Sequence, residues 1–284
     1  MNLEKITIIG VGLLGSSFAL SLKRVGSNAI ITGVGRNEEN LQKAEELGII
    51  DEYCTVPADG VAGADLVLLA TPVGQFENIV SDIRHELKKG AIVTDVGSVK
   101  GGLVGRLDAL MPEGVSFVGA HPIAGGERQG LEAATSELFW GAKCIITPTP
   151  DTDKDALEDI TELWKQLGAR VLHMTPDEHD EVYSAVSHLP HVLAYALVNS
   201  ISSIREDILD FGGRGLKDMT RIALSPTELW KDICSQNRDH MLRSLNDFSS
   251  NISGIIKRFE KSDWKGLEEE FKRAKEARQR LESD

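Results

Sequence analysis

Through the first 174 residues, short apolar and β-branched runs alternate with stretches whose apolar positions recur at helical spacing. The runs fall at residues 6–9, 29–34, 66–70, 91–95, 115–118, 143–146 and 169–174. That alternation predicts an α/β fold, a Rossmann-type doubly wound sheet with mostly parallel strands. Two strand ends, Ala70-Thr71-Pro72-Val73 and Asp95-Val96-Gly97-Ser98, carry turn residues at the carboxyl edge. Open sheets place their ligand crevice at that edge, so both loops are expected to line a cofactor cleft. From Thr175 onward the pattern changes to long helical periods over residues 189–204, 242–259 and 264–281. Thr175-Pro176-Asp177-Glu178 reads as a helix start, with Thr as cap, Pro at the first position and acids in the first turn. The expected division is therefore a dinucleotide-binding domain, 1–174, and an all-helical domain, 175–284. A helical domain of this kind adds apolar faces that suit a homodimer core, with substrate held between domains. Residues 266–280, dense in Glu, Lys and Arg, read as a solvated helical face.

Composition narrows the picture. A chain of 284 residues with 41% hydrophobic and 26% charged residues has room for two globular domains. With 31 basic against 44 acidic side chains the net charge is −13, which disfavours nucleic acid or an anionic membrane as partner. An anionic small substrate would need Arg, Lys or His placed locally. The N-terminus has no signal-peptide pattern and no apolar run reaches membrane-spanning length, so the expected location is cytoplasmic. Cys54, Cys144 and Cys234 are widely spaced, which predicts reduced thiols and no metal site.

The run Lys5-Ile6-Thr7-Ile8-Ile9 leads directly into Gly10-Val11-Gly12-Leu13-Leu14-Gly15-Ser16, a G-x-G-x-x-G sequence between a strand and a helix. Gly10 permits the tight turn, Gly12 lets backbone approach a pyrophosphate and Gly15 allows close strand–helix packing. Gly10, Gly12, Leu13, Leu14 and Gly15, with Thr71 and Pro72 across the crevice, are the expected cofactor contacts. The second strand ends Gly33-Val34-Gly35-Arg36-Asn37, with no acid where one would bind the ribose 2′-hydroxyl. An arginine there can hold a 2′-phosphate, so Arg36 favours NADP, with NAD as the alternative.

Three clusters carry chemistry: Gly97-Ser98 with Lys100, the segment from Gly119 through His121-Pro122 to Glu127, and Ser187-His188-Leu189-Pro190-His191. All three are expected in or near turns. His121, followed by Pro, is expected to leave its strand and expose its ring to the crevice. Arg221, inside an apolar helical segment, needs a partner such as Asp218 or a substrate carboxylate.

These segments, with Asp95-Val96-Gly97-Ser98-Val99-Lys100 and Asp218-Met219-Thr220-Arg221-Ile222-Ala223, closely resemble the prephenate and arogenate dehydrogenases of tyrosine biosynthesis over residues 5–240. The resemblance implies oxidative decarboxylation of prephenate to 4-hydroxyphenylpyruvate, or of arogenate to tyrosine, with transfer of hydride to NAD(P). His121 matches the family histidine that takes the C4 hydroxyl proton, and Ser98 the serine that orients it. Arg221 matches the arginine that binds substrate carboxylate. His188 matches a histidine near the substrate side chain, with His191 beside it. Glu127 matches an acid at the pocket rim, and Asp218 is expected to orient Arg221. Tyrosine feedback is compatible with such a pocket.

Two other readings compete. A β-hydroxyacid dehydrogenase would carry a Lys four residues before an Asn on the first long helix of the second domain, but residues 183–199 contain no Lys. A nucleotide sensor without turnover would have no use for His121, Ser98 and Arg221 together.

Overall fold

The computed structural model describes residues 3–125, 130–205 and 207–282. Strand β1 (Lys5–Ile9) turns Ile6 and Ile8 to one face of the sheet and Ile9 to the other, all of them buried. The same division holds along β4 (Leu66–Leu69), where Leu66 and Leu68 oppose Val67 and Leu69. A strand buried on both faces reads as an unbroken apolar run, which is why these segments are visible in the sequence.

With β2 (Ile30–Val34), β3 (Glu52–Cys54), β5 (Ile92–Asp95), β6 (Ser116–Pro122), β7 (Lys143–Thr147) and β8 (Arg170–His173), the strands form one sheet in the order β3-β2-β1-β4-β5-β6-β7-β8. All pairs are parallel except β6 with β7. On one face lie α1 (Leu13–Arg24), α2 (Glu38–Glu46) and α6 (Lys154–Gln166). The opposite face is covered by α3 (Pro57–Val61), α4 (Phe76–Ile83) and α5 (Gly101–Asp108). Trp164 of α6 anchors the first layer, fully buried and edge-on to Phe18 and Phe139 at 5.5 and 5.1 Å between ring centroids. Strand order reverses between β1 and β4, and the carboxyl ends of these two strands open the crevice.

Among the described residues, every regular element after Thr175 is helical. These are α7 (Pro176–Tyr183), a π-helical turn Ser184–His188, α8 (Leu189–Ser202), α9 (Arg214–Thr220), α10 (Thr227–Gln236), α11 (Arg238–Glu260) and α12 (Trp264–Gln279), with short 3-10 turns. Helix α7 begins as the sequence predicted: the Glu178 N–H donates to the Thr175 hydroxyl at 3.2 Å, and the Glu178 carboxylate accepts from the Thr175 N–H at 3.4 Å. By packing, the chain forms two compact units, Met1–Arg238 and Asp239–Asp284. Helices α7 and α10 belong to the first: α7 lies on α5 and β7, and α10 lies on α5. A change in residue pattern marks where strands stop, whereas packing follows which apolar faces meet.

Three expectations are corrected. Strand β3 is absent from the apolar runs because it has three residues and begins with Glu52. Strand β6 continues through His121 and Pro122, paired with Ile145 and Cys144 of β7. Pro122 is tolerated because β5 pairs only as far as Val118, so the far part of β6 is bonded along one edge. Likewise, His188 and His191 lie on helical backbone and not in a turn. Pro190 has no N–H to give to the Val186 carbonyl four residues back, and the π-helical turn falls at that point.

Candidate active site

A cleft of about 670 Å³ opens at the strand-order reversal, between Gly10-Val11-Gly12, the β2 end with Arg36 and Asn37, and Ala70-Thr71-Pro72. Gly10 has φ of +107°, and a Cβ there would lie 2.6 Å from the Ala70 carbonyl. A Cβ on Gly15 would lie 2.1 Å from the Gly10 oxygen, so α1 packs against the turn only because residue 15 lacks a side chain. Above Gly12, by contrast, space is open to 4 Å. Helix α1 has Gly12 as its N-cap residue, with no side-chain cap and no acid in its first turn, leaving its N–H groups to an anion. Thr71 presents a buried hydroxyl without a protein partner to the same cleft. These features fit a dinucleotide pyrophosphate. Leu13 and Leu14 open α1, half-buried and just beyond the lining. The loop from Asp95 to Ser98 does not line this cleft, contrary to expectation; it stands behind Val73, with its acid turned into the protein.

That acid organises the neighbouring site. Asp95 accepts from the Gly97 N–H at 2.8 Å, the Ala120 N–H at 3.0 Å and the Lys100 ammonium at 2.6 Å. Lys100 also donates to the Gly97 carbonyl at 2.7 Å, and both ionised side chains are 1% exposed. The buried ion pair thus ties the β5–α5 turn to β6, beside His121.

His121 is half-buried, and its Nδ1 lies 2.8 Å from Nε2 of His179 on α7. His179 in turn places Nδ1 2.8 Å from the Asp180 carboxylate. The Lys100 N–H donates to the same carboxylate oxygen at 2.8 Å. Tyr183 flanks both imidazoles, with ring centroids 5.0 Å from His121 and 4.5 Å from His179. Burial, reinforced by the neighbouring His179, Lys100 and His188, holds His121 well below the usual histidine range. His179 is lowered mainly by burial, against the opposing pull of Asp180. The site therefore presents neutral imidazoles at neutral pH.

His188 is fully buried and lowered to about 4, chiefly by burial. Its Nδ1 lies 3.2 Å from the Asn237 amide nitrogen, which also donates to the Asp180 carbonyl at 2.8 Å. Its Nε2 and the Asn237 carbonyl oxygen have no protein partner. His191 stacks on Trp230 at 3.7 Å between centroids, and the positive charge of Arg221 lowers its pKa, though less than burial does. Arg221 is exposed at the end of α9, and Asp218 lies 3.6 Å from the Arg214 guanidinium one turn earlier. Ser98 is half-buried in the β5–α5 turn, its backbone favouring the charged form of His188. Glu127 lies outside the described residues.

Motif reading found His121, His188 and His191 but passed over His179, Asp180, Tyr183 and Asn237. The adjacent His-Asp pair just after a capped helix start was the one available signal.

Residues 18–173 match the family model for the prephenate dehydrogenase nucleotide-binding domain, and residues 175–273 that for the prephenate dehydrogenase dimerization domain. Over 99% of its length the chain is 36% identical to the prephenate dehydrogenase of Bacillus subtilis, spanning 77% of that protein. It is 33% identical to the cyclohexadienyl dehydrogenase of Zymomonas mobilis, over 99% of this chain and 97% of that one. The structure of A. aeolicus prephenate dehydrogenase with hydroxyphenyl propionate and NAD+ matches at a TM-score of 0.93 and 37% identity, over 100% of this chain and 99% of that one. Synechocystis arogenate dehydrogenase matches at 0.82 and 29% identity, over 98% and 99% respectively. With a nucleotide cleft at the strand reversal, a histidine cluster on β6 and α7 and both family domains matched in order, the chain belongs to the prephenate dehydrogenase family of NAD(P)-dependent oxidoreductases.

Proposed function

We propose that the protein oxidatively decarboxylates prephenate to 4-hydroxyphenylpyruvate, with His121 as the base. The observation that carries this reading is a neutral, half-buried imidazole held by His179, on β6 of the sheet whose strand-order reversal opens the dinucleotide cleft. His121 takes the C4 hydroxyl proton as the C4–H bond breaks with its electron pair. The bound cofactor supplies the two-electron acceptor. The bond from C1 to its carboxylate then breaks, CO2 leaves, and the released pair makes the ring aromatic. His121 returns its proton to the resulting phenolate oxygen, so the base ends the cycle neutral.

Ser98 orients the C4 hydroxyl, and Arg221 with His191 receives substrate carboxylate. Prephenate is taken as the substrate ahead of arogenate, and His188 is assigned a place near the substrate side chain; its Nδ1 accepts from Asn237, so the neutral ring carries its proton on Nε2. The family resemblance further assigns Glu127 as an acid that meets the substrate and Asp218 as the group that orients Arg221.

Arg36 in the cleft lining, with no acid at the β2 tip, favours NADP over NAD. The segment 175–284 is assigned to substrate binding and to a homodimer. Leu242, Ile252, Ile256 and Phe259 of α11 and Trp264 and Phe271 of α12 are all exposed in the single chain, which supports that assignment. Three free cysteines accord with a cytoplasmic protein.

His121→Asn is expected to lower kcat by about 10²- to 10⁴-fold while cofactor affinity is kept. Arg221→Ala is expected to raise KM for prephenate chiefly. An unchanged kcat in the first variant would remove His121 from the reaction.

A further inference from the structure

Behind His121 stand two groups in line. The Asp180 carboxylate meets Nδ1 of His179 at 2.8 Å, and Nε2 of His179 meets Nδ1 of His121 at 2.8 Å. An ionised carboxylate only accepts hydrogen bonds, so a neutral His179 carries its one ring proton on Nδ1. Its Nε2 is then a lone pair. The contact between the two imidazoles is a hydrogen bond only when His121 carries its own proton on Nδ1. That choice leaves the other nitrogen of His121, Nε2, as the basic atom.

We infer that His179, itself oriented by Asp180, is a positioning residue that fixes His121 as the Nδ1–H tautomer, so that Nε2 is the atom that takes the substrate hydroxyl proton. The inference rests on the reading of His121 as the base and adds the part of the protein that makes it one.

The line is held at each point. The oxygen of Asp180 that faces His179 also accepts from the Lys100 N–H at 2.8 Å, and the Asp180 carbonyl accepts from the Asn237 amide. His179 is fully buried, and the Thr175 capping box fixes the start of the helix that carries it. Tyr183 closes the side of both rings. Lys100, kept next to the pair by Asp95, opposes any resident proton on either imidazole. When His121 accepts a proton, its Nδ1–H bond to His179 becomes charge-assisted and the Asp180 carboxylate lies behind it. No proton has to pass along the line for this to act. A carboxylate that orients a catalytic histidine in serine hydrolases works in the same way, and the present line has one more imidazole inserted.

The test uses full-length protein labelled with 15N at histidine, read by long-range proton–nitrogen correlation, together with kcat and KM. In the wild type, His121 is expected as the Nδ1–H tautomer. His179→Leu removes the acceptor; the Nε2–H form of His121 should then appear, with kcat lower by about 10²- to 10⁴-fold and KM within about threefold. His179→Gln can still accept from Nδ1–H through its carbonyl oxygen, so the tautomer should be kept and kcat should recover to within about tenfold. A purely structural His179 would lower stability in both variants without this split in kcat.

A wild-type His121 found as the Nε2–H tautomer overturns the inference, as does an equal kcat for the Leu and Gln variants. If His179→Leu does not fold, the wild-type spectrum decides. A wild-type protein that shows the Nδ1–H tautomer but turns over neither prephenate nor arogenate would count against the reaction, leaving the positioning intact.

Discussion

Replacing Lys100 with Met keeps the hydrocarbon stem and removes the ammonium that meets Asp95 at 2.6 Å and the Gly97 carbonyl at 2.7 Å. Both partners are 1% exposed, so the change strands a carboxylate in the protein interior. Breaking a buried pair from one side costs about 3–5 kcal/mol. Asp95 retains two backbone donors, the N–H groups of Gly97 and Ala120, which places the cost at the lower end, about 3 kcal/mol. For a unit of this size that corresponds to a fall in Tm of about 6–12 °C. Urea unfolding followed by circular dichroism, at pH 7.5, reads the difference from wild type. The Asp95→Leu/Lys100→Met double variant removes both charges and should regain most of the loss. A Lys100→Met protein within about 1 kcal/mol of wild type at pH 7.5 would refute this reasoning, as would a double variant less stable than the single. Lys100 also lowers the pKa of His121, so the acidic limb of kcat/KM should move to higher pH in the variant.

Three further expectations follow from the same geometry. His188 goes from an ordinary value of 6.5 to about 4 on folding, so its contribution is present above pH 6.5 and is lost as pH falls through 4. The shift corresponds to about 3 kcal/mol, and His188→Gln should flatten that part of the stability–pH curve; an unaltered curve would contradict the assignment. Gly15→Ala forces a methyl to 2.1 Å from the Gly10 oxygen, so folded protein should lose about 1–3 kcal/mol of stability and bind nucleotide at least about tenfold more weakly by calorimetric titration. Arg36→Ala should raise KM for NADP by about 10- to 100-fold and that for NAD by less than about threefold, and equal shifts would remove the 2′-phosphate contact.

Much of this was legible in the chain because it is local. The unbroken apolar runs of β1 and β4 follow from burial on two faces, the glycine positions from contacts within one turn, and the start of α7 from a four-residue cap. What escaped depends on partners far away in sequence. His121 stays in β6 because β7 runs antiparallel beside it, and Pro122 is harmless because β5 has already ended. Asp95 looked like a cleft residue, yet its carboxylate is consumed by Lys100 and two backbone donors. His179 and Asp180 carry no motif of their own; only the packing of α7 on α5 and β7 brings them behind His121. Asn237 reaches His188 from the end of α10 and gives no sign of it in spacing.

The most direct measurement follows reduced-nicotinamide absorbance and CO2 release together, for purified protein given prephenate or arogenate with NADP or NAD. One equivalent each of reduced cofactor, CO2 and 4-hydroxyphenylpyruvate from prephenate, fastest with NADP, is the expected result. Silence with both substrates, from protein shown to bind the cofactor, would contradict the assignment of His121 as the base of an oxidative decarboxylation.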